Sequence, residues 1–274
     1  MGKFDGILLC TDLDDTLLTT DKRVSDKNSR AIEYFKGEGG LFTFATGRVP
    51  AGAKLMLEFV HPNAPMVCFN GGAIYDFKDD KILWSRSLGK EALKVVEYVD
   101  KMFESAGIEV CTDDKNYFCK TNKIVEEHKA FEKLPDNYLD YHLIPEKWNK
   151  VLFMVETDEM PYLRELISAA PFFDDFTFVL SSPWYYELLP KNSSKGEGLV
   201  HLANLLGIDP KRTIAIGDNE NDLKLVKMAG VGIAVANAID ETKSAADLVT
   251  REDNNSSAIA AVIEMLDSGE IDLL

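Results

Sequence analysis

The sequence predicts an α/β protein, a doubly wound (Rossmann-like) parallel-sheet core carrying one inserted α+β domain. Three observations predict it. Short apolar runs of buried-strand type alternate with helical patterns over residues 1–82 and again over 191–274, as a parallel sheet covered on both faces requires. Over 83–190 the strand-like segments are amphipathic, and some follow one another directly, as FTFVL and WYYELL do, which suits an antiparallel sheet and no simple βαβ unit. Polar residues also stand at the ends of the core strands, where open parallel sheets bind ligands.

The core elements follow in order. GILLCTD is the first strand, and Asp12 stands at its end. Ser25 caps a helix through Ala31, Ile32 and Phe35, which Gly39-Gly40 closes. LFTFAT is the second strand and ends at Thr46; a helix after Pro50 carries Leu55 and Phe59; MVCFN is the third strand and ends at Asn70. The inserted domain holds ILWSRSL, YFCKT, KVLFMVET, FTFVL and WYYELL, with helices at Lys90–Glu104 and Pro161–Ala170. The core resumes with a helix bearing Leu199, Leu202, Leu205 and Leu206, stopped by Gly207. Strand TIAIGD delivers Asp218, and a helix follows through Leu223 and Val226. Strand VGIAVAN, a helix near Thr242, DLVT and a closing helix from Ser257 to Leu266 complete the chain.

Composition narrows the function classes. The 274 residues are 46% hydrophobic and 28% charged, ordinary for a soluble globular protein. A net charge of −16 without a basic face argues against nucleic acid as partner. No apolar run approaches the ~20 residues of a membrane span. GILLC is too short for a signal-peptide core, and Gly6 breaks the myristoylation pattern. Cys10, Cys68, Cys111 and Cys119 form no CxxC pair and the four histidines no zinc spacing, so a reduced, cytoplasmic protein is expected. Nothing in the sequence sets the oligomeric state.

The chemistry concentrates in a few stretches. DLDDTLL places Asp12, Asp14 and Asp15 within four positions, although each carboxylate raises the cost of ionising the others. A calcium loop fails because Leu17 stands where that loop needs Gly. The acid motif of terpene cyclases also fails, since it belongs to helical proteins. Taken alone, the stretch is no more than a solvated turn. IGDNENDL delivers Asp218 and Asp222 to the same edge of the sheet, and a hard cation such as Mg²⁺ would offset the repulsion among Asp12, Asp14 and Asp218. TGR supplies a hydroxyl, backbone N–H groups and a cation at Thr46, Gly47 and Arg48, which suits phosphate, although an ordinary N-cap explains Thr46 equally. Lys195 stands before a helix, against its dipole, which marks it above Lys191 as an anion-binding lysine.

In order and spacing, DLDDTLL, ATGR, NGG, SKGEGL and GDNENDL, with the tail AGVGIAVANA and ADLVT, resemble the haloacid dehalogenase-like hydrolase superfamily, and most the Cof-type (subfamily IIB) sugar-phosphatase-like branch. The resemblance implies that the insertion is a cap domain. It implies Asp12 as nucleophile of an aspartyl-phosphate and Asp14 as general acid, then base. Mg²⁺ would be held by Asp12, Asp218 and the backbone carbonyl of Asp14. Thr46, the N–H groups of Leu13 and Gly47, Arg48, Asn70, Lys195 and Asn221 would bind the substrate, with Asp222 orienting Lys195 or a metal-bound water. The activity so implied is Mg²⁺-dependent hydrolysis of small soluble phosphate esters, foremost sugar phosphates. A phosphomutase or phosphotransferase would share the intermediate, and a metabolite-binding regulatory module the scaffold. Cap residues of Asp113–Thr121 and Trp184–Glu187 would choose the substrate, although sheet packing explains Trp184 and Tyr186 as well. The chain departs from the pattern at Asp15, where many relatives carry Gly; a solvent-facing turn residue is expected there.

Overall fold

The computed structural model describes residues 2–113, 115–144 and 147–273, without the side chain of Met56. The chain forms two compact units, one running to Leu83 and resuming at Ser194, the other Trp84–Ser193.

The first unit opens with β1 (Leu8–Thr11), α1 (Asp26–Gly37), β2 (Leu41–Phe44), α2 (Pro50–Lys54), β3 (Met66–Cys68) and β4 (Ala73–Asp76), and β5 (Lys81–Ser85) runs across the boundary into the second. The second holds α3 (Ala92–Met102), β6 (Gly107–Thr112), β7 (Asn116–Lys120), α4 (Lys123–Phe131), β8 (Trp148–Met154), α5 (Met160–Ser168), β9 (Phe176–Ser182) and β10 (Tyr185–Pro190). The first unit resumes with α6 (Lys195–Leu206), β11 (Thr213–Gly217), α7 (Leu223–Met228), β12 (Val231–Ala234), α8 (Asp240–Ala245), β13 (Leu248–Val249) and α9 (Ala258–Ser268).

The core sheet has the order β13-β12-β11-β1-β2 and is parallel throughout. Its central strands β1 and β11 are fully buried and mostly apolar because helices cover both faces, whereas the edge strand β13 is exposed. From β1 the chain moves outward to β2, then returns to the other side of β1 at β11. The direction therefore reverses between β1 and β11, and the crevice beyond their carboxyl ends is where a doubly wound sheet binds its ligand. Asp12 and Asp218 lie just past those two ends.

Local chemistry sets the flanking helices. Ser25 Oγ accepts the Asn28 N–H and Ser194 Oγ the Glu197 N–H, so each caps its helix. Gly207, at φ 69°, ends α6 in the left-handed conformation that glycine tolerates best.

The structure departs from the sequence expectation at four places. The helix after Pro50 stops at Lys54 and continues only as a 3₁₀ turn, Leu55–Glu58; Gly52 inside it weakens the α-helix by about 1 kcal/mol. β3 ends at Cys68, because Phe69 and Asn70 turn left-handed at φ 52° and 51°. The first part of ILWSRSL, up to Ser85, lies in a three-stranded sheet with β3 and β4, and only Leu88 at its end bridges an inserted strand, at Trp148, since an amphipathic edge strand reads the same in either sheet. Finally, β6 and α4 complete the second unit and had no counterpart in the reading of the sequence.

The second unit is an antiparallel sheet of order β7-β6-β8-β10-β9. One face packs Ile108, Val110, Val151, Phe153, Tyr186 and Leu188 with Val95, Val99, Leu163 and Ile167 of α3 and α5. Alternation turns Glu109, Lys150 and Glu187 to the other face, where all three are buried but paired. Glu109 lies 3.1 Å from His128 Nε2 of α4 and accepts a bond from Asn116. Glu187 accepts from Ser181 Oγ at 2.6 Å and lies 3.2 Å from Lys150 Nζ. Desolvation raises the Glu109 pKa, and the bonds from His128 and Asn116 more than offset it, holding the group below its usual range.

Candidate active site

The first acidic loop is anchored at its start by the Asp12 N–H, which donates to Ile216 O of β11 at 2.9 Å. Leu13–Leu17 then forms a wide turn closed by the Leu18 N–H on Leu13 O, with Leu13 and Leu17 buried beneath it. Asp15 sits at φ 56°, a conformation that Gly takes freely and Asp better than most. Its side chain is 55% exposed, as expected of a turn residue.

Lys195 opens α6 with its side chain 1% exposed, and its Nζ donates to Asp12 Oδ1 and Asp222 Oδ1, both at 2.7 Å. The turn at 69–71 explains the placement: Gly71 has φ 93°, and a Cβ there would meet Ser194 O at 1.9 Å, so only glycine lets the start of α6 pack so closely. Asp222 Oδ2 accepts the N–H groups of Asp218 and Asn219 at 3.0 and 3.2 Å. A Cβ on Gly217 would meet Asp222 Cβ at 2.5 Å, so this glycine makes room for that carboxylate. Thr16 Oγ1 donates to Asp218 Oδ1 at 2.7 Å, and α8 holds the loop from behind: the Ile239 N–H bonds Asp218 O and Thr242 Oγ1 bonds Asn219 O.

Asp12, Asp218 and Asp222 offer carboxylate oxygens within 4.8 Å of one another, all buried. Desolvation, then the two neighbouring carboxylates, raise Asp12 well above the usual carboxylate range despite the opposing pull of Lys195. Burial and then Asp222 push Asp218 up to about 7. Desolvation alone would lower the pKa of Lys195, but Asp12 and Asp222 raise it above its ordinary value.

β1 and β2 are neighbours, and Ala45 N–H donates to Thr11 O at 2.9 Å, so Asp12 and Thr46 leave adjacent strand ends. Thr46 is buried; its Oγ1 accepts the Arg48 N–H at 3.1 Å, a bond that leaves the hydroxyl proton for another acceptor. Asn70 packs against Gly47, where a Cβ would lie 2.8 Å from Asn70 Nδ2, and Asn70 Oδ1 accepts from Asn221 Nδ2 at 3.2 Å. Asn70 thus links the Thr46 loop to the second acidic loop from a left-handed turn, not from a strand end.

Arg48 turns to Asp14: Nε donates to Oδ2 and Nη2 to Oδ1, each at 3.0 Å. Lys22 Nζ donates to Asp14 Oδ1 at 3.0 Å. Desolvation pushes the Asp14 pKa up, but Arg48 and then Lys22 outweigh it and hold the group at about 2.

The sequence-derived residues therefore assemble in three groups: Asp12, Lys195, Asp218 and Asp222; Thr46, Gly47, Asn70 and Asn221; and Asp14 with Arg48. Thr16, Lys22 and Thr242 were missed. Nothing in TTDKRV or DETKSA marks the last two, whereas Thr16 lies on the face of the DLDDT loop that meets the second acidic loop. Of the residues proposed to choose the substrate, Tyr186 is buried in the packed face of its sheet and Trp184 is 43% exposed. Asp114 lies outside the described residues.

A family model described as haloacid dehalogenase-like hydrolase matches residues 9–263. A Streptococcus pyogenes protein whose name marks it provisionally as a phosphatase is 31% identical over 264 residues, covering 93% of this chain and 96% of its own. A Bacillus subtilis 5-amino-6-(5-phospho-D-ribitylamino)uracil phosphatase is 27% identical over 290 residues, covering 96% and 98%. The crystal structure of a Thermotoga maritima protein matches with a TM-score of 0.76 at 26% identity, covering 94% of this chain and 96% of that one. A HAD subclass IIB sugar phosphatase shares the fold with a TM-score of 0.81 at 19% identity, covering 97% of this chain and 100% of that one.

Proposed function

Because the chain belongs to the haloacid dehalogenase-like hydrolase family, we propose that it is a phosphatase that hydrolyses small phosphate monoesters through a phosphorylated Asp12. The observation that carries this reading is the buried cluster at the sheet's switch point, in which Lys195 joins Asp12 to Asp222 beside Asp218. Relatives named for phosphoribitylamino-uracil and sugar phosphates support sugar-type esters as the substrate class. No helix among the described residues is long and apolar enough to cross a membrane, which fits a small-molecule substrate met in solution.

The donor set fits Mg²⁺. One ammonium faces three buried carboxylates, and the excess of two negative charges matches a hard divalent cation. Asp12 and Asp218 would hold it together with the carbonyl of Asp14. Asp222 already uses one oxygen on Lys195 and the other on two N–H groups, and so serves as the positioning residue for both. When bound, the cation neutralises the dianionic phosphoryl group as an anionic nucleophile approaches.

The remaining chemistry belongs to the chain's own residues. Asp12 attacks phosphorus in line, the bond to the leaving oxygen breaks, and Asp14, ionised in the free protein, takes a proton from water as the dianionic substrate binds beside it and passes it to that oxygen. Water then attacks the phosphorylated Asp12, Asp14 takes the water's proton, and inorganic phosphate departs with Asp12 restored. Lys195, the Thr46 hydroxyl and the N–H groups of Leu13 and Gly47 stabilise the charge on the phosphoryl oxygens. The test is release of inorganic phosphate from sugar phosphates by purified protein. Turnover is expected with Mg²⁺ and a fall to background with EDTA; turnover that persists in EDTA contradicts the metal assignment, and an isomerised sugar phosphate without free phosphate identifies a mutase instead.

A further inference from the structure

The turn at Phe69–Gly71 has no part in the chemistry above, yet it touches three of the segments that a phosphoryl group would meet. Phe69, Asn70 and Gly71 take φ 52°, 51° and 93° in succession. Residues with side chains rarely adopt that region, asparagine more readily than most, and they persist where the surroundings over-determine them. Three neighbours do so here. The Phe69 N–H donates to Arg48 O at 3.2 Å and the Asn70 N–H to Thr46 O at 3.0 Å, which bonds the turn to the TGR loop. Gly71 lies against Ser194, the residue before Lys195. Asn70 Oδ1 accepts from Asn221 Nδ2 at 3.2 Å, which adds the second acidic loop.

The backbone bond fixes a donor. A trans peptide is planar, with its carbonyl and its N–H on opposite sides. Thr46 O and the Gly47 N–H belong to one peptide, so by holding that carbonyl the Asn70 N–H points the Gly47 N–H away from the turn. The side chain of Asn70 fixes a second donor. Asn70 is 1% exposed and packed on Gly47, whereas Asn221 is only half-buried. The amide nitrogen of Asn221 carries two hydrogens. With one directed at Asn70, the other is held in a set direction beside the TGR loop. Donors fixed in advance stabilise developing charge without reorganising at the moment of reaction.

We propose that Asn70 is a positioning residue for the phosphoryl pocket: its side chain holds the Asn221 amide ready to donate to a phosphoryl oxygen, from a turn whose backbone fixes the Gly47 N–H. The inference rests on the phosphatase reading, and it replaces the direct substrate contact expected of Asn70.

Asn70→Gly deletes the side chain and keeps the turn, since glycine takes φ 51° freely. It is compared with wild type, Asn221→Ala and the double variant in Mg²⁺. The readings are kcat/KM on p-nitrophenyl phosphate and the Ki of orthovanadate, which takes the five-coordinate geometry of phosphorus in transfer. Each single variant should lose about 10- to 100-fold in kcat/KM, the scale of one hydrogen bond to a charged group, and bind orthovanadate several-fold more weakly. In the Asn221→Ala background, Asn70→Gly should cost less than about threefold more, because it has nothing left to hold. All variants should unfold within a few degrees of wild type. A variant that merely folds less well has fewer active molecules, which lowers kcat and leaves KM and Ki unchanged. That pattern, losses that multiply in the double variant, or no loss from either single change overturns the proposal and leaves the phosphatase reading standing. A wild type that hydrolyses no phosphate ester overturns both.

Discussion

Asp12→Asn abolishes phosphate release, with an expected fall of at least about 10⁴-fold, the scale on which a covalent nucleophile's removal is felt. The amide keeps the size and hydrogen-bonding shape of the side chain but cannot form the acyl phosphate. Its effect on stability should run the other way. Asp12 sits with Asp218 and Asp222 in a buried cluster that has one ammonium, and its pKa is pushed well up by desolvation and by those carboxylates. Removing one of three mutually repelling charges leaves the metal-free fold as stable as wild type or more so. Thermal unfolding in EDTA, set beside phosphate release in Mg²⁺, checks both halves; an inactive variant that is also much less stable would show that Asp12 serves the fold instead.

Lys195→Met carries the second large effect, and here activity and stability fall together. The methionine fills much the same space, but Asp12 and Asp222 lose the ammonium that both contact at 2.7 Å. Deleting one partner of a buried ionic set costs about 3–5 kcal/mol because the remaining charges stay uncompensated. Losing the cation that faces the phosphoryl group should also lower kcat by about 10²–10³-fold. Denaturant unfolding in EDTA and steady-state kinetics in Mg²⁺ measure the two. The opposite signs of the stability changes in the two variants follow from charge alone, and equal destabilisation by both would contradict the account of the cluster.

The residues legible in the sequence were those that local pattern could reach. Asp12, Thr46 and Asp218 follow apolar runs that can only be buried parallel strands, and the topology brings those strand ends together. Asn70 was found for the wrong reason: MVCFN reads as a strand to its last residue, and the left-handed turn at Phe69-Asn70 becomes visible only when Gly71 is seen against Ser194. β6 escaped because Glu109 interrupts its apolar run, and the histidine that satisfies this carboxylate lies on α4, far along the chain. Lys22 escaped for a similar reason, since Asn237, Asn254 and Asn255, which hold the backbone at Asp15, Leu18 and Thr20 on its N-terminal side, stand near the other end of the sequence. Strand ends are local information. The partners of buried and half-buried charges are not.

The central claim is that Asp12 becomes phosphorylated beside a cation held in part by Asp218. Crystals grown with Mg²⁺ and beryllium fluoride test it most directly, because the trifluoride mimics a phosphoryl group on a carboxylate. The account predicts beryllium bonded to an Asp12 oxygen, fluorines facing Lys195 and Thr46, and Mg²⁺ touching Asp12 and Asp218. A clear map with both ions supplied, an unmodified Asp12 and the cation bound elsewhere would contradict it.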